Sequence, residues 1–145
     1  MSPKPLSVIV HIDGGSRGNP GPAAAGVVVR AAADGTALHE AGVFLGTATN
    51  NVAEYRGLLE GLRAAAALGA AEVEIVSDSQ LLVRQMTGEY RVKNPRLAAL
   101  HGEAMELARK FQKCAYRHVP REQNDHADGL VNRALDLRRN VGGNP

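Results

Sequence analysis

The sequence predicts an α/β fold built on a five-stranded mixed sheet, three antiparallel strands first and two parallel ones after, flanked by helices. Three observations predict it. A β-branched run, Leu6–Ile12, breaks at Asp13-Gly14-Gly15, the pattern of a buried strand. Gly26–Arg30 and Leu38–Leu45 then read as two more strands, joined through the turn-forming Ala33-Asp34-Gly35-Thr36. Beyond residue 50 apolar residues recur at helical spacing, interrupted by two short strands, Val73–Ser77 and Cys114–Val119. Helical crossovers separate these two, so both should run parallel to the first strand.

Taken in order, Ser16-Arg17-Gly18-Asn19-Pro20-Gly21-Pro22 is turn chemistry throughout. Asn51 can cap a helix with Glu54 at its third position and Val52, Tyr55, Leu58, Leu59 and Leu62 on its apolar face, and Gly69 ends it. Gly57 and Gly61 on that helix each cost about 1 kcal/mol against alanine, which close approach to a neighbour would offset. Ser79–Met86 resumes helical spacing, and Asn94-Pro95 opens a longer helix carrying Leu97, Leu100, Leu107 and Phe111 on one face. After the Pro120–Asn124 loop, Asp125–Leu137 forms a last helix. The expected organisation is one domain over residues 1–139, with 140–145 a frayed tail.

Composition narrows the function classes. The 145 residues are 44% hydrophobic and 22% charged, which suits one globular domain rather than a disordered tail. Cys114 is the single cysteine, so an intramolecular disulfide and a multi-cysteine metal site are both excluded, and a reducing, cytoplasmic setting is expected. Apolar runs such as Ala64–Gly69 are too short to span a bilayer, and no membrane role is expected. No long exposed apolar stripe points to an oligomer, so a monomer is expected. Net charge is only +2, yet Arg84, Arg91, Lys93, Arg96, Arg109, Lys110, Lys113, Arg117 and Arg121 face only Glu89, Glu103 and Glu106 between residues 81 and 121. Such an excess can face phosphates or simply be a solvated surface.

Four carboxylates can converge on one site. Asp13 and Asp78 fall at the C-terminal ends of strands that the topology can make neighbours, and Glu54 and Asp128 fall in first helical turns. Brought together without cations they would repel and their pKa values would rise. Oxygen ligands of this kind suit Mg²⁺, and paired ions roughly 3.5–4 Å apart can hold both the attacking and the leaving oxygen of a phosphoryl transfer. Each acid taken alone is better explained as a cap, a turn former or a helix-dipole partner.

The wording around each acid separates these readings. Asp13-Gly14-Gly15-Ser16-Arg17-Gly18-Asn19-Pro20-Gly21-Pro22, Thr49-Asn50-Asn51-Val52-Ala53-Glu54, Ser77-Asp78-Ser79-Gln80 and Asn124-Asp125-His126-Ala127-Asp128 stand in an order that resembles the type 1 ribonuclease H family over nearly the whole chain. The resemblance implies a ribonuclease H-like fold and an endonuclease that cuts the RNA strand of RNA–DNA hybrids, leaving 5′-phosphate and 3′-hydroxyl ends. It implies that Asp13, Glu54, Asp78 and Asp128 hold two Mg²⁺ ions, with Mn²⁺ a substitute. Gly14, Gly15 and Ser16 would let backbone approach the RNA strand, while Asn19, Thr49, Asn50, Asn51 and Gln80 would supply neutral hydrogen bonds to it. Double-stranded RNA is a further candidate substrate.

Two departures from the family pattern stand out. The loop before the last helix, His118-Val119-Pro120-Arg121-Glu122-Gln123-Asn124, is short, and Arg121 is favoured over a flexible histidine as the auxiliary catalytic group, with His118 and His126 read as ordinary half-exposed histidines. The chain has no tryptophan and only a brief Thr87–Asn94 connection where some relatives carry a basic protrusion, so Arg84, Arg91, Lys93 and Arg96 would form a reduced grip. The alternative reading is a non-catalytic module that binds hybrid or double-stranded RNA. A phosphate loop for a small-molecule nucleotide fits worse, since its lysine is absent.

Overall fold

A computed structural model describes residues 5–143. The strands are β1 (Ser7–Ser16), β2 (Gly21–Ala31), β3 (Ala37–Ala48), β4 (Glu72–Ser77), β5 (Lys113–His118) and β6 (Val141–Gly143), and the helices α1 (Asn50–Ala67), α2 (Gln80–Met86), α3 (Pro95–Ala108) and α4 (Asp125–Leu137). All six strands form one mixed sheet in the order β5-β4-β1-β2-β3-β6. As expected, β1 pairs antiparallel with β2 and parallel with β4, and β4 parallel with β5.

The sheet has six strands rather than five. Val141–Gly143, placed by the sequence reading in a frayed tail, pairs with Glu40–Gly42 of β3. Gly142 makes this possible: at φ 77° its missing Cβ would lie 2.3 Å from the Glu40 carbonyl oxygen. Asn140 fastens the same segment by accepting the Phe44 backbone N–H at 2.8 Å. Residues 144 and 145 of that expected tail lie outside the described residues.

One face of the sheet carries the main core. Val8, Val10, Ile12, Val27, Val29, Val73 and Ile75 pack there against Leu58, Leu59 and Leu62 of α1, with Leu97 and Ala104 of α3 behind. Phe111, expected on the helix preceding β5, joins this core from just beyond the end of α3. On the opposite face α4 lies over β2 and β3, burying Val131, Ala134 and Leu135 against Ala24. The alanines Ala23–Ala25 extend β2 well before its expected start, because their small side chains fit beneath packed helices; burial here outweighs their weak strand propensity.

Candidate active site

The four carboxylates are placed by backbone packing. β1 outruns β4: their pairing stops at Ile12 with Ser77, while β1 continues through Ser16 beside β2, where the sequence reading ended the strand at Ile12. Asp13 is therefore the first β1 residue past the edge of β4, and Asp78 immediately follows β4. Ser77 and Ser79 fix Asp78 from both sides, since the Ser77 hydroxyl accepts the Ser79 N–H at 3.0 Å and the Ser79 hydroxyl caps α2 by accepting the Leu82 N–H at 3.2 Å.

Glu54 arrives on α1, which lies almost in van der Waals overlap with β1. A Cβ on Gly14 would stand 2.2 Å from the Ala53 carbonyl carbon and 2.4 Å from the Glu54 nitrogen, and one on Gly57 would stand 2.6 Å from the Asp13 carbonyl oxygen. Gly61 completes the contact against Val10 and Ile12, so the expected packing role of Gly57 and Gly61 holds. The cap of α1 is Thr49, whose hydroxyl accepts the Val52 N–H at 3.2 Å, and not Asn51. Glu54 consequently sits in the second turn, two residues deeper than an Asn51 cap would place it, and a helix-dipole role does not explain it.

Asp128, by contrast, is in the first turn of α4. Here the carbonyl of Ala127 fills the space of a Cβ on Gly26, the β2 residue paired with Asp13. Asn124, just ahead of α4, is 1% exposed and donates from Nδ2 to the Ile12 carbonyl at 2.8 Å, tying the start of α4 to the residue before Asp13. Sequence reasoning included Asn124 in a motif without giving it this role. The available signal was that an asparagine at a helix start need not spend its side chain on capping.

Asp13, Glu54, Asp78 and Asp128 line a single open groove of about 520 Å³ with Gly14, Gly15, Ser16, Arg17, Asn50 and Arg121. Burial, the Asp78 charge and contact with Asp128 push the Asp13 carboxyl up to about 8. Burial pushes Glu54 up to about 7, opposed by a hydrogen bond from Ser79 and aided by Asp78. A cation bound among these carboxylates would reverse both shifts. The donor set is all oxygen, half-buried and open to water on one side, which fits Mg²⁺ or Mn²⁺ and not zinc.

The expected substrate residues divide between two places. Gly14, Gly15, Ser16 and Asn50 share the acidic groove, whereas Asn19, Thr49 and Asn51 line a separate recess of about 270 Å³ with Asn94 and Arg96. Asn50 accepts the Ser16 N–H at 2.8 Å, and its own N–H donates to the Asn19 side chain at 3.1 Å, so the β1–β2 turn and the start of α1 hold each other. Gln80, the exposed first residue of α2, lines neither cavity.

Comparison with known proteins decides the family. A family profile described as reverse transcriptase-like matches residues 11–134. The chain is 50% identical over 131 residues to the bifunctional protein Rv2228c of Mycobacterium tuberculosis, covering 90% of this chain but 36% of that relative. The crystal structure of RNase H1 from Halobacterium salinarum superimposes with a TM-score of 0.88 at 44% identity, over 90% of this chain and 98% of that one. The chain belongs to the ribonuclease H family. Another solved member, LC11-RNase H1 in complex with an RNA/DNA hybrid, gives a TM-score of 0.86 at 41% identity over 90% of this chain and 98% of that one. This ribonuclease H-family chain thus spans about a third of the length of its mycobacterial relative, and no helix among the described residues is long and apolar enough to cross a membrane. Neither His118 nor His126 lines its acidic groove; the His126 ring is held by Glu40 at 2.9 Å and Arg30 at 2.7 Å. Arg121 does line it, exposed, with its guanidinium 3.8 Å from Asp128.

Proposed function

We propose that this chain hydrolyses the RNA strand of RNA–DNA hybrids at the groove lined by Asp13, Glu54, Asp78 and Asp128, leaving 5′-phosphate and 3′-hydroxyl ends. The convergence of four carboxylates in one open groove, two of them with raised pKa values, carries the reading. Two Mg²⁺ ions held there, or Mn²⁺ in their place, would supply the charge that activates a water and stabilises the departing 3′-oxygen. The chain's own residues do the rest. Backbone at Gly15 and Ser16 offers the RNA strand a wall with little side chain, and Asn50, whose Oδ1 is already occupied by Ser16, presents its amide N–H groups as free donors to sugar or base edges. The solved LC11-RNase H1 complex with hybrid supports the substrate class.

The second recess, with the neutral donors Asn19, Thr49, Asn51 and Asn94 around Arg96, fits a phosphodiester of the same duplex away from the cut. Arg121 neutralises charge on the scissile phosphate; being permanently protonated, it does not act as a base. Arg121→Ala is expected to lower kcat about tenfold with KM changed little, Arg121→Lys to recover part of the loss, and His118→Ala to stay within twofold of the parent. Steady-state kinetics on a short hybrid checks all three.

The function itself is tested with one labelled RNA strand presented alone, paired with RNA and paired with DNA, in Mg²⁺ or in EDTA. Mg²⁺-dependent cutting mainly of the DNA-paired form is expected, and cutting of the RNA duplex would add double-stranded RNA as a substrate. Retention of hybrid without cutting under Mg²⁺ and Mn²⁺ would replace this reading with that of a binding module.

A further inference from the structure

The acidic groove extends along α4 well beyond the four carboxylates, past Val131 and Asn132 to Leu135, and Arg17 lines it there. Asp128 and Asp136 lie eight residues apart on α4, roughly 12 Å at 1.5 Å per residue. Arg121 reaches the Asp128 end and Arg17 the Asp136 end, which it holds through a 2.7 Å contact between its guanidinium and the Asp136 carboxylate. These two arginines are the cations among the groove's lining residues.

Arg17 projects from a firm base. Its N–H donates to the Pro22 carbonyl at 2.8 Å, and a Cβ on Gly21 would stand 2.2 Å from the Arg17 carbonyl oxygen, so turn and residue interlock. Its side chain is free by comparison, 49% exposed against 65% for Asp136, and an ion pair this open adds little to stability and exchanges readily. Neither the turn nor the pairing with Asp136 requires an arginine to face a groove of carboxylates.

We infer that Arg17 is a substrate-binding residue that trades Asp136 for a phosphate of the RNA strand, beyond the phosphate being cut. The strand that places its scissile phosphate among the carboxylates continues along the same groove. The roughly 12 Å between the two ends spans a few nucleotides of that strand. Asp136 competes with that phosphate for the guanidinium and weakens the grip. The inference rests on the hybrid-cutting reading for the identity of the strand.

The test sets variants of opposite sign against each other. Arg17→Ala is expected to raise KM for hybrid about tenfold at low salt with kcat within twofold, and to flatten the slope of log KM against log salt by about one. Asp136→Asn is expected to lower KM severalfold, the double variant to match Arg17→Ala alone, and Arg63→Ala, a charge-matched change on α1, to leave KM unchanged. A single neutral methylphosphonate, moved position by position through the few nucleotides beside the cut, should reproduce the Arg17→Ala loss at one position and not add to it. If Asp136→Asn raises KM as Arg17→Ala does, the pair is a structural brace and the inference fails; it fails equally if Arg17→Ala leaves KM unchanged. Equilibrium binding of the same hybrids in an Asp13→Asn background reads the contact without cleavage, so its loss is distinguishable from failure of the cutting reaction.

Discussion

Replacing Asp13 with asparagine is expected to abolish RNA cleavage and to make the cation-free protein more stable. Asparagine keeps the shape of the side chain but removes a charge that burial, Asp78 and Asp128 all oppose. The folded carboxyl titrates at about 8 against 3.8 for the free group, so between those values the folded state keeps a proton that the unfolded state has released. Stability from this group is therefore full below pH 3.8 and is lost as pH rises towards 8; Glu54, with about 7 against 4.5, acts in the same direction. Discounted for partial solvent screening, Asp13→Asn should stabilise the protein in EDTA at pH 8 by about 2 kcal/mol, or roughly 5 °C in Tm, with little change at pH 4. Melting curves at the two pH values, beside a hybrid-cleavage assay, check both halves. A variant that is inactive but no more stable would mean that the acids are not in mutual repulsion.

The second large effect is expected at Gly14, which touches no reacting group. Alanine there would drive a Cβ to 2.2–2.4 Å from the backbone of Ala53 and Glu54, where no side-chain rotation relieves the clash. α1 must move away from β1. Overpacking of this kind costs about 1–3 kcal/mol, and displacement of Glu54 by a fraction of an ångström to an ångström should cost on the order of 100-fold in kcat. Gly15→Ala is the matched comparison, because its Cβ would meet Val131 at an ordinary 3.9 Å and stability should be unchanged. Thermal melts and single-turnover cleavage of the two variants separate helix position from loss of glycine as such.

Gly14 also shows where sequence reading stops. Glycine next to a candidate catalytic aspartate reads as room for substrate, yet the space at Gly14 is taken by a helix, a packing fact that only the assembled fold reveals. The elements with strong apolar patterns were legible: α4 matches its expected Asp125–Leu137 span, and β4 lies within one residue of its expected start. What escaped were features set by tertiary contact. Ala23–Ala25 form strand because helices bury them, Val141–Gly143 pair because β3 offers an open edge, and Thr49 rather than Asn51 caps α1, with the Asn50 N–H engaged by Asn19. For the site, the four carboxylates were readable from their surrounding motifs, and the structure turns them into one groove. The division of the neutral residues between groove and recess depends on the interlock of Ser16, Asn19 and Asn50, which no local pattern encodes.

If this groove is a divalent-cation centre, calorimetric titration of Mn²⁺ and Mg²⁺ into the protein with an uncleavable hybrid will show it. Binding of two cations, reduced in Asp13→Asn and Asp78→Asn and accompanied by a rise in Tm of the parent protein, is the expected result. Cleavage that persists in EDTA, or cation binding that survives loss of both aspartates, would contradict it.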